Sequence, residues 1–242
     1  MAGVFSTLAM SLILVAADAV TARADEDASF DQLIEQHCPG AVAAQAERQR
    51  ILDVRRPSTA ITSTRPALQR ELLLRARLDQ EARSAALTVG AALVSSSTDP
   101  RVDRIRDIDA ANLRRLKQIV RQDGFPTTKM VGFNGVDAAW LLTQHADSDH
   151  AFQIAMLNVI AASGRKGQVN EQNVALLTDR VLIAQGKPQV YGSQFGMHDG
   201  EFKPGPIADA AHVDERRKAH GLGSLAEYTC VLRAVYGIGA PH

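Results

Sequence analysis

Helix start and stop signals divide most of the chain into helical segments, and this feature constrains the fold most. Pro66 suits the first turn of a helix, where its missing N–H would have no partner in any case. A helix ends at Asp123-Gly-Phe-Pro126, because Gly supplies a cap and Pro prevents continuation. Ser224-Leu-Ala-Glu227 is a capping box that opens a last helix. With no internal repeat, these signals predict a mainly α-helical, compact bundle.

Apolar residues at helical spacing indicate where the helices lie and which faces they bury. In the helix from Pro66, the predicted buried stripe is Leu74, Leu78, Ala82, Ala85 and Val89. Further helices are predicted from about Asp109, over 135–146, after Asp149, from Asn170 to Gly186 and over 209–219. Residues 189–195 alternate, which predicts at most a short extended segment, and the Gly- and Pro-rich residues 196–206 predict a loop.

The first residues have the features of a secretory signal peptide. An apolar run from Val4 to Ala17 is too short to span a bilayer and leads to Ala22-Arg-Ala24, the pattern of a cleavage site. No Lys or Arg precedes the run, so an ordinary N-terminal helix is the alternative. We therefore predict an exported protein, periplasmic or extracellular, with no stable membrane insertion after the signal is removed. The expected organisation is a signal peptide at 1–24, a variable lead-in and linker at 25–65 and a single helical domain at 66–242.

The charge balance argues against a nucleic-acid partner. The 27 Lys and Arg residues equal the 27 Asp and Glu residues in number, so no basic excess is available for phosphates. Aromatic residues make up only 5% of the chain, which also disfavours a surface for base stacking. The expected partner is a small molecule or another protein.

Two cysteines, Cys38 and Cys230, lie near opposite ends of the predicted mature chain. In an oxidising compartment an even pair of this kind often forms a disulfide. Two unpaired buried thiols are the alternative, and the sequence does not decide between them, because the distance between the residues is unknown.

Polar side chains interrupt the apolar pattern of the helices, which is costly unless these groups are paired. Asp79 and Arg83 stand four residues apart on one helix and so share a face. From this segment alone we expect an exposed ion pair of little energetic value. His145 follows Gln144 near the end of the helix that carries Trp140, and is either a general acid/base or a core histidine.

No metal or cofactor is expected. His145, Asp147, Asp149, His150 and His198 have suitable ligand atoms, but the sequence contains no recognisable zinc or calcium motif. It also has no P-loop, dinucleotide fingerprint or nucleophile elbow. Clustered His and Asp residues often serve only to cap helices.

A second set of polar residues follows in the C-terminal half. Asp179 and Arg180 are adjacent, and Arg180 would either clamp an anionic ligand or tie the next segment to the bundle. That segment alternates through Gln189 and Tyr191 and ends near Gln194, so it forms either the floor of a polar pocket or a self-satisfied loop.

Taken together and in order, these motifs resemble an uncharacterised bacterial family catalogued only as a domain of unknown function. The family pattern runs D-Q-x-x-R, G-W/F-P, Q-H-A-D, D-R-V and G-x-P-Q-x-Y-G-T-Q, and the resemblance covers about residues 70 to 230. Ser193 stands where the family usually has Thr, and Val213-Asp-Glu-Arg-Arg217 completes the set. The resemblance brings no activity, but it implies that one shared feature contains Asp79, Arg83, Gln144, His145, Asp179, Arg180, Gln189, Tyr191 and Gln194.

Three functional hypotheses follow from this set. In the first, the protein is an enzyme in which His145 is the acid/base, Arg180 or Arg83 binds an anion, and Tyr191 donates a proton. In the second, the same groups bind a small molecule or protein without chemistry. In the third, they form a buried polar network that only fixes the packing of the bundle.

Overall fold

Helices and one small hairpin make up the part of the chain that the structure describes. This computed structural model describes residues 34–43, 46, 62–87, 98–236 and 238, so the predicted signal peptide and most of the lead-in lie outside these ranges. Short helical turns at 34–37 and 39–43 come first. The longer helices are α1 (Pro66–Leu87), α2 (Pro100–Asp123), α3 (Thr128–Gln144), α4 (His150–Gly164), α5 (Glu171–Ala184), α6 (Val213–Ala219) and α7 (Leu225–Val235). The prediction of a mainly helical, compact fold is confirmed.

Side-chain caps fix where most of these helices begin. Asp99 caps α2, Thr127 caps α3, Asp149 caps α4 and Asn170 caps α5, each by accepting a backbone N–H of the first turn. Ser224 and Glu227 form the predicted capping box at the start of α7. The sequence signals at Asp149, Asn170 and Ser224 are therefore confirmed, whereas α2 begins at its Asp99 cap and so well before the predicted start near Asp109.

The main core is built around α3, against which α1, α2, α4 and α5 pack. Leu72 of α1, Leu141 of α3 and Leu177 of α5 are fully buried there. Trp140 is also buried, and its indole N–H donates to the carbonyl of Asn173 at 2.8 Å, which ties α3 to α5. This packing determines where the C-terminal end of α3 lies relative to α5.

The predicted apolar stripe of α1 was wrong except at Ala82, which is buried. Leu74 and Leu78 are 48% and 38% exposed, Ala85 is exposed, and Val89 lies outside the described residues. The buried face of α1 instead carries Leu72, Asp79, Ala82, Arg83 and Ala86. Ala82 and Ala86 pack with Ile105 of α2 and with Tyr236, which follows α7.

A hairpin occupies part of the predicted loop at 196–206. Strands β1 (Phe195–His198) and β2 (Glu201–Pro204) pair antiparallel, so the loop prediction was wrong for these residues. The turn between them is Asp199-Gly200, with φ of 56° and 81°, which is a favoured hairpin dipeptide because both positions need positive φ. Outside the hairpin, Gln189, which precedes β1, forms an isolated parallel bridge with Ile207, which follows β2.

Cys38 and Cys230 are joined by a disulfide, with their Cα atoms 5.9 Å apart. Ile34 and Ala41 are buried beside Cys38 and pack with Val231 and the neighbouring residues of α7. The bond therefore fastens the N-terminal turns to the last helix. Among the helices described, none is long and apolar enough to cross a membrane.

Candidate functional site

The ion pair of α1 lies in the interior and not on the surface as expected. Asp79 and Arg83 are 1% and 3% exposed. Arg83 donates through Nε and Nη2 to the two carboxylate oxygens of Asp79, each at 3.2 Å, in a bidentate pair. The sequence could not show this, because burial of the pair depends on the elements packed against α1.

His145 completes this group from the end of α3. Its Nδ1 lies 2.9 and 3.0 Å from the two oxygens of Asp79. The residue is 2% exposed, and its Nε2 is buried with no hydrogen-bond partner among the residues that the structure describes. The backbone N–H of His145 donates to the carbonyl of Leu141, so the last turn of α3 fixes where the ring stands.

The electrostatics favour an ionised Asp79 beside a neutral His145. Burial acts to raise the pKa of Asp79, but the charge that His145 gains when it is protonated at low pH, its hydrogen bond and the Arg83 guanidinium outweigh burial and hold that pKa well below its usual range. Burial lowers the pKa of His145, and the Arg83 guanidinium lowers it further, against the pull of Asp79. With Nδ1–H donating to the carboxylate, Nε2 is left as the basic nitrogen.

Asp79, Asp109 and His145 have ligand atoms that all lie within 4.8 Å of one another, so this group has the spacing of a metal site. The guanidinium of Arg83 already lies between the two carboxylates, 3.2 Å from Asp79 and 2.5 Å from Asp109. It supplies there the positive charge that a cation would supply, and it would repel a metal ion bound at the same position.

A second network surrounds Asp179 on α5. Its carboxylate is fully buried and accepts the backbone N–H groups of Val190, Tyr191 and Ser193 at 2.8, 3.0 and 2.8 Å. Burial raises the pKa of Asp179, while these three donors act in the opposite direction. Asp179 thus fixes the backbone conformation of residues 190–193, which follow α5.

Gln189 stabilises the same segment through its amide. Nε2 donates to the carbonyls of Gln194 and Gly205 at 2.9 and 3.1 Å, and Oε1 accepts the N–H of Gln194 at 2.6 Å. All three bonds are to the backbone, so the Gln189 side chain joins the start of this segment to Gln194 and Gly205.

Arg180 links the two networks. Its Nε donates to the carbonyl of Gln144 at 2.9 Å, and its Nη1 donates to Oε1 of Gln194 at 3.2 Å. Nε also lies 3.2 Å from Oδ1 of Asp147. Since Gln144 directly precedes His145, this bond connects the Asp179 segment with the backbone that carries the imidazole.

The hydroxyl of Tyr191 is directed to a different histidine. It lies 2.9 Å from Nε2 of His220, which follows α6, and the two rings meet edge to face. Burial, reinforced by the negative charge of Asp179, raises the pKa of Tyr191, so the phenol keeps its proton at neutral pH. The predicted residues thus fall into an Asp79–Arg83–His145 group and an Asp179–Gln189–Tyr191–Gln194 group, joined through Gln144 and Arg180.

Sequence reasoning missed three residues of these networks: Asp109, Arg217 and His220. Arg217 is 1% exposed and donates to the carbonyls of Tyr191 and Gly223, at 2.7 and 2.6 Å. Its place in the Val213–Arg217 motif is the available signal. The sequence marks Asp109 only as the approximate start of a helix, and nothing around it points to its partner 26 residues away.

Comparison with known proteins adds one finding. No curated protein and no solved structure matches the chain significantly. The model of a family described as a family of unknown function (DUF6624) matches residues 66–240, which carry both networks. The chain therefore belongs to the DUF6624 family, as its motifs indicated.

Proposed function

We propose that the protein is an enzyme in which His145 transfers a proton to or from a small molecule, with Asp79 as its orienting carboxylate. The observation that carries this proposal is the buried Nε2 of His145, which has no partner among the described residues. Buried polar atoms are nearly always hydrogen-bonded, since leaving one unpaired costs free energy. A network with only a structural role would gain stability by pairing this atom.

The arrangement of the three groups suits general acid/base chemistry. Arg83 fixes Asp79, Asp79 accepts the Nδ1 proton, and the lone pair of Nε2 is therefore directed away from the carboxylate. When Nε2 takes a proton from a hydroxyl group or water, the resulting imidazolium is stabilised by the adjacent carboxylate. The same nitrogen returns the proton in the second half of the reaction.

In this proposal the other residues position the site. Arg83 acts on Asp79, since its guanidinium is engaged by two carboxylates. Asp179, Gln189 and Gln194 would hold the 189–194 segment beside Gln144, with Arg180 as the link. That Tyr191 donates a proton in the same reaction stays a prediction.

A turnover screen tests the proposal even though the substrate is unidentified. Wild type is incubated with a metabolite library, and substrate loss is followed by proton NMR. For a compound that turns over, His145→Gln and Asp79→Asn should each lower kcat by roughly 10²–10⁴-fold, the usual contribution of an acid/base group. The matched control is His212→Gln, because His212 also bonds an aspartate but is 59% exposed.

Thermal shifts with the same library separate the alternatives. A compound that raises Tm of wild type and of His145→Gln equally, without turnover, would favour a binding module. If no compound turns over or raises Tm, and His145→Gln lowers Tm as strongly as a core truncation, the network is structural and the proposal fails.

We also propose that the protein is exported. The apolar run from Val4 to Ala17, the Ala22-Arg-Ala24 pattern and the disulfide support this, since disulfides persist in oxidising compartments. Intact-mass measurement of the protein from a periplasmic or secreted fraction should give a chain that begins at Asp25 and lacks two hydrogens. A reduced chain that retains its first 24 residues and stays in the cytoplasm would contradict export.

A further inference from the structure

Asp109 of α2 brings a second carboxylate to the site. Its Oδ1 accepts from Nη2 of Arg83 at 2.5 Å, on the same guanidinium that holds Asp79. The side chain of Asp109 is 19% exposed, whereas those of Asp79 and His145 are each 1% exposed. Asp109 is therefore the member of the group that meets solvent.

The charges of the buried group do not balance unless it holds one extra proton. Two carboxylates and one guanidinium leave a net charge of −1 when His145 is neutral. An uncompensated charge in a largely dry site is unfavourable, so a proton is retained nearby. Its two possible positions are the Asp109 carboxylate and the His145 ring, whose ligand atoms lie within 4.8 Å of each other.

The groups that face this cluster from other elements do not remove the imbalance. Arg180 of α5 acts on His145 but is itself close to Asp147, which compensates it. Tyr236, at the end of α7, packs against Ala82 and Ala86, and burial raises its pKa well above its usual range, so it is uncharged. Gln80 donates to Asp79 at 2.8 Å and carries no charge.

We infer that Asp109 and His145 are alternative holders of a single proton, and that Asp109 exchanges this proton with solvent. The inference rests on the proposed role of His145 as the base. Burial, opposed by Arg83 and reinforced by Asp79, raises the pKa of Asp109 to about 7, which agrees with a carboxyl group that is partly protonated near neutrality.

This assignment makes Asp109 a positioning residue for the reaction. When the substrate O–H bond breaks and the Nε2–H bond forms, the O–H bond of Asp109 breaks and its proton passes to water. The cluster then stays neutral with His145 protonated and Asp109 ionised. The reverse exchange restores the starting state after His145 has given its proton to the product.

NMR titration of the whole protein tests the inference without a substrate. Ring nitrogens of His145 and the carboxyl carbon of Asp109 are followed between pH 5 and 9, roughly two units on either side of the expected midpoint. In wild type, the ring nitrogens should move part of the way toward their imidazolium values as the pH falls through the interval in which Asp109 titrates, because His145 holds the shared proton for part of the time. In Asp109→Asn this step should be lost, and His145 should protonate only at lower pH.

Asp103→Asn is the matched control, because Asp103 lies on the same helix but is 64% exposed, and the step should persist in this variant. The inference is overturned if the His145 signals stay flat while wild-type Asp109 titrates, or if the step survives in Asp109→Asn. If Asp109→Asn does not fold, the wild-type titration still tests the inference, because it shows whether the His145 signals change while Asp109 titrates. If the NMR titration shows the shared step but the metabolite screen shows no turnover, only the proposed enzyme activity is refuted. If turnover is found and is lost in His145→Gln, but the NMR titration shows no shared step, only the shared proton is refuted.

Discussion

Asp179 accepts backbone N–H groups from three residues of the segment that follows α5. Asp179→Asn keeps the side-chain volume, but an amide offers one acceptor oxygen and turns an NH₂ group toward these donors. We expect the free energy of unfolding to fall by about 3 kcal/mol, because buried donors lose a charged acceptor. Urea denaturation monitored by circular dichroism measures the change.

Asp199→Asn serves as the control for this residue-scale prediction. Asp199 is 94% exposed at its side chain, and its left-handed backbone suits Asn as well as Asp. Its variant should unfold at the same urea concentration as wild type. Equal midpoints for Asp179→Asn and wild type would show that the three bonds contribute little to stability.

Single residues also mark what the sequence can predict about the site. Polar residues within an apolar pattern identified His145, Asp179 and Arg180 as candidates, because burial of such groups requires partners. The partners themselves came from tertiary contacts: Asp109 reaches Arg83 from another helix, and His220 reaches Tyr191 across 29 residues. Contacts between residues far apart in the sequence leave no local sequence pattern, so the predicted set of site residues lacked Asp109 and His220.

At the level of elements, the helix starts marked by a capping side chain in the sequence were predictable, whereas the starts of α2 and α3 and the buried face of α1 were not. Caps at Asp149, Asn170 and Ser224 depend on bonds within one turn, so the sequence alone indicates them. The buried face of α1 depends on what packs against it. There Ala82, Ala86 and the polar pair are buried, whereas Leu74 and Leu78 are exposed.

The hairpin shows a different kind of miss at this scale. Asp199-Gly200 is a strong local signal for a two-residue turn, and it lies within a stretch rich in Gly, Pro and His that otherwise indicates a loop. The flanking strands have four residues each, and Met197 is 54% exposed, so the apolar alternation that marks a strand is weak.

Over the whole molecule, the Cys38–Cys230 disulfide closes a loop across a sequence separation of 192 residues. It joins a segment before the matched family region to the last helix, so it constrains almost all of the described chain. A cross-link of this span restricts the unfolded chain strongly, and the chain-entropy account gives a stabilisation of roughly 5 kcal/mol as an upper value.

Replacing both cysteines with alanine should therefore lower the free energy of unfolding by roughly 3–5 kcal/mol. Urea denaturation of oxidised wild type and the double variant measures the difference, and adding reductant should bring wild type down to the variant. The double variant also serves as the control for the reductant. It has no disulfide to reduce, so its urea midpoint should be the same with and without reductant. If wild type keeps its stability in reductant with both thiols verified as free, the cross-link does not limit the unfolded chain. The packing of Ile34 and Ala41 against α7 would then account for the anchoring of the N-terminal turns.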